Sequence, residues 1–143
     1  MSLAQLVYIS DATQRFDGPA LNELVRLAAC ANAGQAITGV LIYGNNTFLQ
    51  LLEGEQLVVY RLFEKIKLDP RHTRVRMLAC YPIRDRSFDA WNMRLLNLSH
   101  RPALKRSSLL EIARRQATMK QGDIQDYRAL IQEFVEEFQS QIA

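Results

Sequence analysis

The sequence predicts an α+β fold, a ferredoxin-like βαββαβ(β) sandwich. Three observations point there: short β-rich runs interleaved with two helical stretches, a Gly/Asn turn joining the second and third runs, and the order strand, helix, strand, strand, helix, strand. Right-handed crossovers turn that order into an antiparallel sheet with both helices on one face and the first and third strands adjacent at its centre.

Each element has its own signal. Residues 5–10 (QLVYIS) alternate and are rich in β-formers, which puts Leu6, Tyr8 and Ser10 on one face. Asp17 followed by Gly18 and Pro19 starts a helix that runs to about Asn32 and stops at Gly34, burying Leu21, Leu24, Val25, Leu27 and Ala28. Residues 36–43 and 47–53 flank Gly44-Asn45-Asn46, whose residues tolerate the positive φ of a tight hairpin. Over 55–68, Val58 or Val59, Leu62, Phe63 and Ile66 recur at helical spacing until Asp69-Pro70 ends the run. A strand over 75–81 and a short one over 91–96 complete the sheet.

After His100-Arg101-Pro102 the pattern changes. Ser108 with Glu111 forms a capping-box signature for a helix to about Lys120, Gly122 ends it, and Asp123 caps a last helix. Its stripe of Ile124, Tyr127, Leu130, Ile131, Phe134, Val135 and Phe138 needs a cover, either the free face of the sheet or another subunit. The division is therefore a globular unit over 1–98 and a helical hairpin over 99–143 for output and oligomerisation.

Composition narrows the function. A length of 143 residues with 48% hydrophobic content suits one packed domain and an appendage. No run approaches the ~20 apolar residues of a membrane span, and the N-terminus lacks a secretory pattern, so a cytoplasmic protein is expected. Cys30 and Cys80 read as reduced core thiols, and two histidines are too few for a metal site. The net charge of +3 resides largely in C-terminal cations of the kind found on solvated helix faces. There is no GxSxG, no P-loop, no dinucleotide glycine fingerprint and no catalytic carboxylate pair, and so no enzyme is expected.

The polar residues in core-like positions carry the chemistry. Gln50 sits inside TFLQLLEG, where an amide without partners would cost ~1–3 kcal/mol, and Tyr8 on the neighbouring strand is the nearest group able to satisfy it. Two readings stay open from the residues alone: the pair merely satisfy one another, or they serve a ligand. Asn32, near a helix end, reads first as a left-handed or capping residue.

Taken together, LVYIS, Asn32, ITGVLIYGNNTFLQLLEG, DPRHTRV and SFDAWNMRLLNLS resemble the BLUF domain, a flavin-binding blue-light photoreceptor module. The resemblance spans residues 3–98 and extends to the paired C-terminal helices of short, single-domain members. It implies a flavin, FAD or else FMN, held between the two helices against the face bearing Tyr8 and Gln50. Leu24 and Ile66 would sandwich the ring, Asn32 would bond its O4/N3 edge, and Gln50 would bridge that edge to Tyr8. Lys65, Arg71 and His72 would lie near the ribityl and phosphate groups. Trp91 and Met93 match the last strand, where one or the other occupies the pocket and passes the signal on. Tyr8 would act as electron and proton donor, and Gln50 as a relay whose amide changes orientation or tautomer. Ala31 departs from the family, in which the residue before the asparagine is often polar. The resemblance also implies a homo-oligomer and a response-regulator-like protein partner, with no nucleic acid or membrane.

Two competing readings remain from the residues. An RRM-like RNA-binding module would use Tyr8 and Phe48 on central strands, but TFLQLLEG lacks the basic-Gly-aromatic pattern and offers Glu53 instead. A flavin-free ferredoxin-like regulatory domain predicts a colourless protein.

Overall fold

A computed structural model describes residues 2–44, 46–89 and 91–98. Along them run β1 (Leu3–Ala12), α1 (Gly18–Ala33), β2 (Thr38–Gly44), β3 (Thr47–Glu55), α2 (Gln56–Lys67), β4 (His72–Ile83) and β5 (Arg94–Asn97). The expected helical hairpin over 99–143 and its apolar stripe lie outside the described residues.

The five strands form one sheet in the order β4-β1-β3-β2-β5, with β1 beside β3 at its centre. Four are antiparallel neighbours, whereas β5 runs parallel to β2, so the sheet is mixed and not purely antiparallel. The reason is topological. β4 and β5 occupy opposite edges, and the chain between them must cross the sheet before it re-enters alongside β2.

Alternation divides the side chains between two faces. Leu6, Tyr8, Leu41, Phe48 and Leu52 meet Leu21 of α1 and Val59 and Phe63 of α2, so both helices lie on this face as expected. Val7, Ile9, Val40, Ile42, Leu49 and Leu51 form the opposite face, where Phe88, Leu96 and Leu98 join them. At roughly 25 cal/mol per Å² of apolar surface removed from water, these two clusters supply the main drive to fold.

Local signals set the element ends. Asp17 Oδ1 accepts the Ala20 amide at 2.8 Å, with Pro19 in the first turn, and Glu55 caps α2 by accepting the Val58 amide at 3.2 Å. Gly34 closes α1 in right-handed geometry, and the left-handed residue falls instead at Ala36, φ 54°, where β2 begins two residues later than the alternation implied. Asn46 takes the positive φ of the β2–β3 turn at 59° and donates its amide to the Ala12 carbonyl, which fastens the hairpin to β1.

Two expectations about burial need correction. Leu27 is 51% exposed, and Leu24, Val25 and Ala28 are only half-buried, because α1 faces a cavity instead of resting its whole stripe on the sheet. Cys30 is exposed on the outer side of α1 and Cys80 is half-buried, so neither thiol is a core residue.

Gly39 shows how tightly β2 approaches β3. A Cβ there would stand 2.0 Å from the Leu51 carbonyl oxygen, an impossible contact, whereas Gly18 has nothing within 4 Å. Gly39→Ala is therefore expected to destabilise the fold by about 3 kcal/mol or more, and Gly18→Ala by less than about 0.5 kcal/mol. Urea titration of the two variants checks this contrast.

Candidate functional site

A cavity of about 310 Å³ opens between α1, α2 and the helix-covered face of the sheet. Its size lies at the lower end of the range for small-molecule sites. Leu24, Leu27, Ala28, Ala31 and Asn32 line it from α1, Leu62, Lys65 and Ile66 from α2, and Tyr8, Leu41, Phe48 and Gln50 from the central strands. Asp69, Arg71 and His72 close one end.

All eight residues expected at a cofactor thus border one space. The antiparallel register places Tyr8 directly opposite Gln50, so both side chains emerge on the same face. The Tyr8 hydroxyl donates to Gln50 Oε1. In this arrangement the oxygen end of the amide faces the phenol. Gln50 Nε2 then points to Met93 Sδ at 3.4 Å. A thioether is a weak acceptor, so the donor end of an amide that is 6% exposed holds the weakest partner it could have.

Asn32 is 3% exposed and lies inside α1, not at a left-handed end. Its Nδ2 donates to the Asn92 carbonyl at 2.9 Å, which ties the helix to the segment entering β5. Its Oδ1 accepts no hydrogen bond among the described residues, although the residue borders the cavity. Sequence reasoning missed Asn92, whose only signal was its place one residue before Met93.

Tyr8 is 3% exposed and packs against Phe63, 5.6 Å away between ring centres, and edge-on to His72. Burial raises its phenol pKa far above the ordinary range; the Asp69 charge adds to that, and the Arg71 charge opposes it. At the rim, the Arg71 guanidinium grips Asp69 and holds its carboxyl below the usual carboxylate range. Asp69, read from sequence only as a helix stop, is thus part of the cavity wall. His72 has both ring nitrogens engaged, Nε2 donating to the Ile66 carbonyl and Nδ1 accepting from Ser10 Oγ at 2.9 Å. Lys65 has no ion-pair partner among the described residues.

Trp91 and Met93 part company. Met93 joins the helix-side cluster beside Gln50, while Trp91 stacks on Phe88 at 5.7 Å and 16° on the opposite face.

The cavity suits a flat, largely apolar ring system with one imide-like edge. Leu24 and Ile66 offer aliphatic walls, Gln50 Nε2 an under-used donor, Asn32 Oδ1 an open acceptor and Lys65 an unpaired cation. Phe48 is 3% exposed and packed against Phe16 and Tyr43, and Tyr8 is likewise 3% exposed, so neither of these two strand rings is open for a base to stack on.

Comparison with known proteins gives the same reading. The family described as BLUF, sensors of blue-light using FAD, matches residues 3–94. The chain is 40% identical over 93 residues to a photoactivated adenylate cyclase subunit beta of Euglena longa, covering 64% of this chain and 11% of that protein. It is 31% identical over 96 residues to the blue light- and temperature-regulated antirepressor BluF of Escherichia coli (strain K12), covering 67% of this chain and 24% of that one. The chain therefore spans about a tenth to a quarter of the length of these two relatives. The solved structure of BlsA in its photo-activated state superposes with a TM-score of 0.71 at 29% identity, covering 95% of this chain and 94% of that one. With the family model matching residues 3–94 and relatives and solved structures of the same kind, the chain belongs to the BLUF family of blue-light sensors.

Proposed function

We propose that this chain senses blue light through FAD held in the cavity, with Tyr8 and Gln50 as the photoactive pair. The observation that carries the reading is the oriented contact itself: a buried phenol donating to an amide whose other end lacks a strong acceptor. Asn32 Oδ1 and Gln50 Nε2 would hold the imide edge of the ring, Leu24 and Ile66 its two faces, and Lys65 the phosphates. Arg71, already bound to Asp69, would position the rim, and His72 would wall it.

When excited, the flavin supplies a strong oxidant. Loss of an electron turns the Tyr8 phenol into a strong acid, and the proton's exit is the bond to Gln50 Oε1. Gln50 then carries a proton at the end that formerly accepted. Once the electron and a proton return to Tyr8, the amide would be left turned if Oε1 gives back the proton it took, or in its other tautomer if Oε1 keeps that proton and Nε2 gives one up instead, because its two ends differ as donor and acceptor. Met93 meets Gln50 on the far side, so a reoriented amide alters the contact that holds the segment entering β5.

Output through a partner follows the relatives, whose names describe a cyclase subunit and an antirepressor. We infer a homo-oligomer that signals to a response-regulator-like protein, with residues 1–98 as the sensor and 99–143 as the output segment.

Three outcomes test the reading. Purified protein should be yellow, and blue light should move its flavin absorption reversibly to longer wavelength; a colourless preparation that also resists reconstitution with FAD would defeat it. Tyr8→Phe and Gln50→Leu should keep the flavin and abolish the shift, while Asn32→Ala should weaken flavin binding about tenfold by removing one buried hydrogen bond. The last outcome concerns pH. Because the folded pKa of Tyr8 lies above the unfolded value, its contribution to stability is complete below about pH 10 and is lost as pH rises beyond it. Urea melts from pH 8 to 10.5 should show a decline that is shallower in Tyr8→Phe.

A further inference from the structure

The connection from β4 to β5 crosses the opposite face of the sheet and delivers Trp91 and Met93. Near its end it is tied by Asn32 Nδ2 to the Asn92 carbonyl and by the Gly39 amide to the Trp91 carbonyl, both at 2.9 Å. Its beginning is held by groups for which the photochemistry has no use.

Glu53 lies on β3, on the opposite face from Gln50, and is 0% exposed. Its Oε2 accepts the Ser87 amide at 2.8 Å and Gln5 Nε2 at 3.1 Å; its Oε1 accepts the Phe88 amide at 2.9 Å and Thr38 Oγ1 at 3.3 Å. Arg86 reinforces the same point. It donates to Thr38 Oγ1 at 2.9 Å, the Glu53 carbonyl at 3.1 Å and the Ala36 carbonyl at 2.6 Å. An acidic side chain buried in an apolar face is unfavourable unless every oxygen is satisfied, and a leucine would fill the space without that cost. What a carboxylate provides and a leucine does not is a pair of acceptors for two consecutive backbone N–H groups of the connection.

We propose that Glu53, assisted by Arg86, is a positioning residue that sets Met93 against Gln50. The path is short. Phe88, held by its amide to Glu53, stacks its ring on Trp91, and Met93 follows two residues later. Clamped at 86–88 and tied again at 91–92, the connection has little slack with which to follow Gln50. Glu53 therefore governs how readily the amide's two states interchange, a role that rests on the photoactive reading above.

The test uses the full chain loaded with FAD. Glu53→Gln keeps the shape but turns an N–H toward the amide of Ser87 or Phe88. Flavin binding and the size of the light-induced shift should persist, since Tyr8 and Gln50 are untouched. Dark recovery should quicken about threefold or more, and acrylamide quenching of Trp91, the sole tryptophan, should rise about twofold in the dark. Arg86→Gln, which leaves the carboxylate in place, should act in the same direction and decides the matter alone if Glu53→Gln does not fold. Ile42→Val, in the same apolar cluster as Phe88 but with a side chain that makes no hydrogen bond to residues 86–88, controls for general loosening of that face. If the clamp variants recover and quench like Ile42→Val, the proposal is overturned. Quenching does not need a light response, so a wild-type protein without a red shift would sink the photoactive reading and leave the clamp to be judged separately.

Discussion

The antiparallel register of β1 and β3 is the constraint from which the rest of the site follows. Because Tyr8 and Gln50 are direct cross-strand partners, their side chains must leave the sheet together, and burial then requires them to bond to one another. The phenol can donate there and the amide oxygen can accept, so the pair acquires a direction. Everything beyond Gln50 inherits it: among the described residues the donor end meets the sulfur of Met93, and Met93 belongs to the segment that leads into β5. A slip of one residue in this pairing would send one partner to the other face and dissolve the site.

The helices serve that pair by standing apart. An ordinary two-layer sandwich would rest both apolar stripes on the sheet; here α1 buries Leu21 fully and leaves Leu24, Leu27 and Ala28 around open space. Two amides in this space, those of Asn32 and Gln50, are tied firmly at one end to protein and held weakly or not at all at the other among the described residues. Asn32 is the clearest case, with its amide nitrogen held by Asn92 and its oxygen facing the cavity. Such half-satisfied groups are a cost to the isolated fold and an asset to a ligand that completes them.

How much of this could be read in the residues depends on the range of the interaction involved. Strand alternation, the cap at Asp17, the stop at Asp69-Pro70 and the Gly44-Asn45-Asn46 turn are local, and the elements appeared near where those signals placed them, although β4 proved longer and β2 started later. The Tyr8–Gln50 contact followed from topology once β1 and β3 were set side by side. The cavity-bordering roles of Lys65 and Arg71 came from family resemblance, since a cation at the end of a helix looks the same whether or not it faces a ligand. Leu27 and Cys30 misled for a related reason: helical periodicity does not distinguish a stripe against a core from one against a cavity. Asn92 and the acceptor role of Glu53 were out of reach, because both depend on a chain crossing that no local pattern encodes.

The strand that carries Tyr8 is treated unequally by its two neighbours. Against β3 it keeps an unbroken ladder, while against β4 the ladder shifts twice, between Val7 and Tyr8 and again between Ile9 and Asp11. Evolutionary drift in chain length consequently has somewhere to go. An inserted or deleted residue on the β4 side can be absorbed by relocating an existing irregularity, whereas the same change in β3 would have to be reversed elsewhere in that strand to restore function. Descendants of this fold should therefore accumulate their indels along one flank of the sheet and almost none along the other.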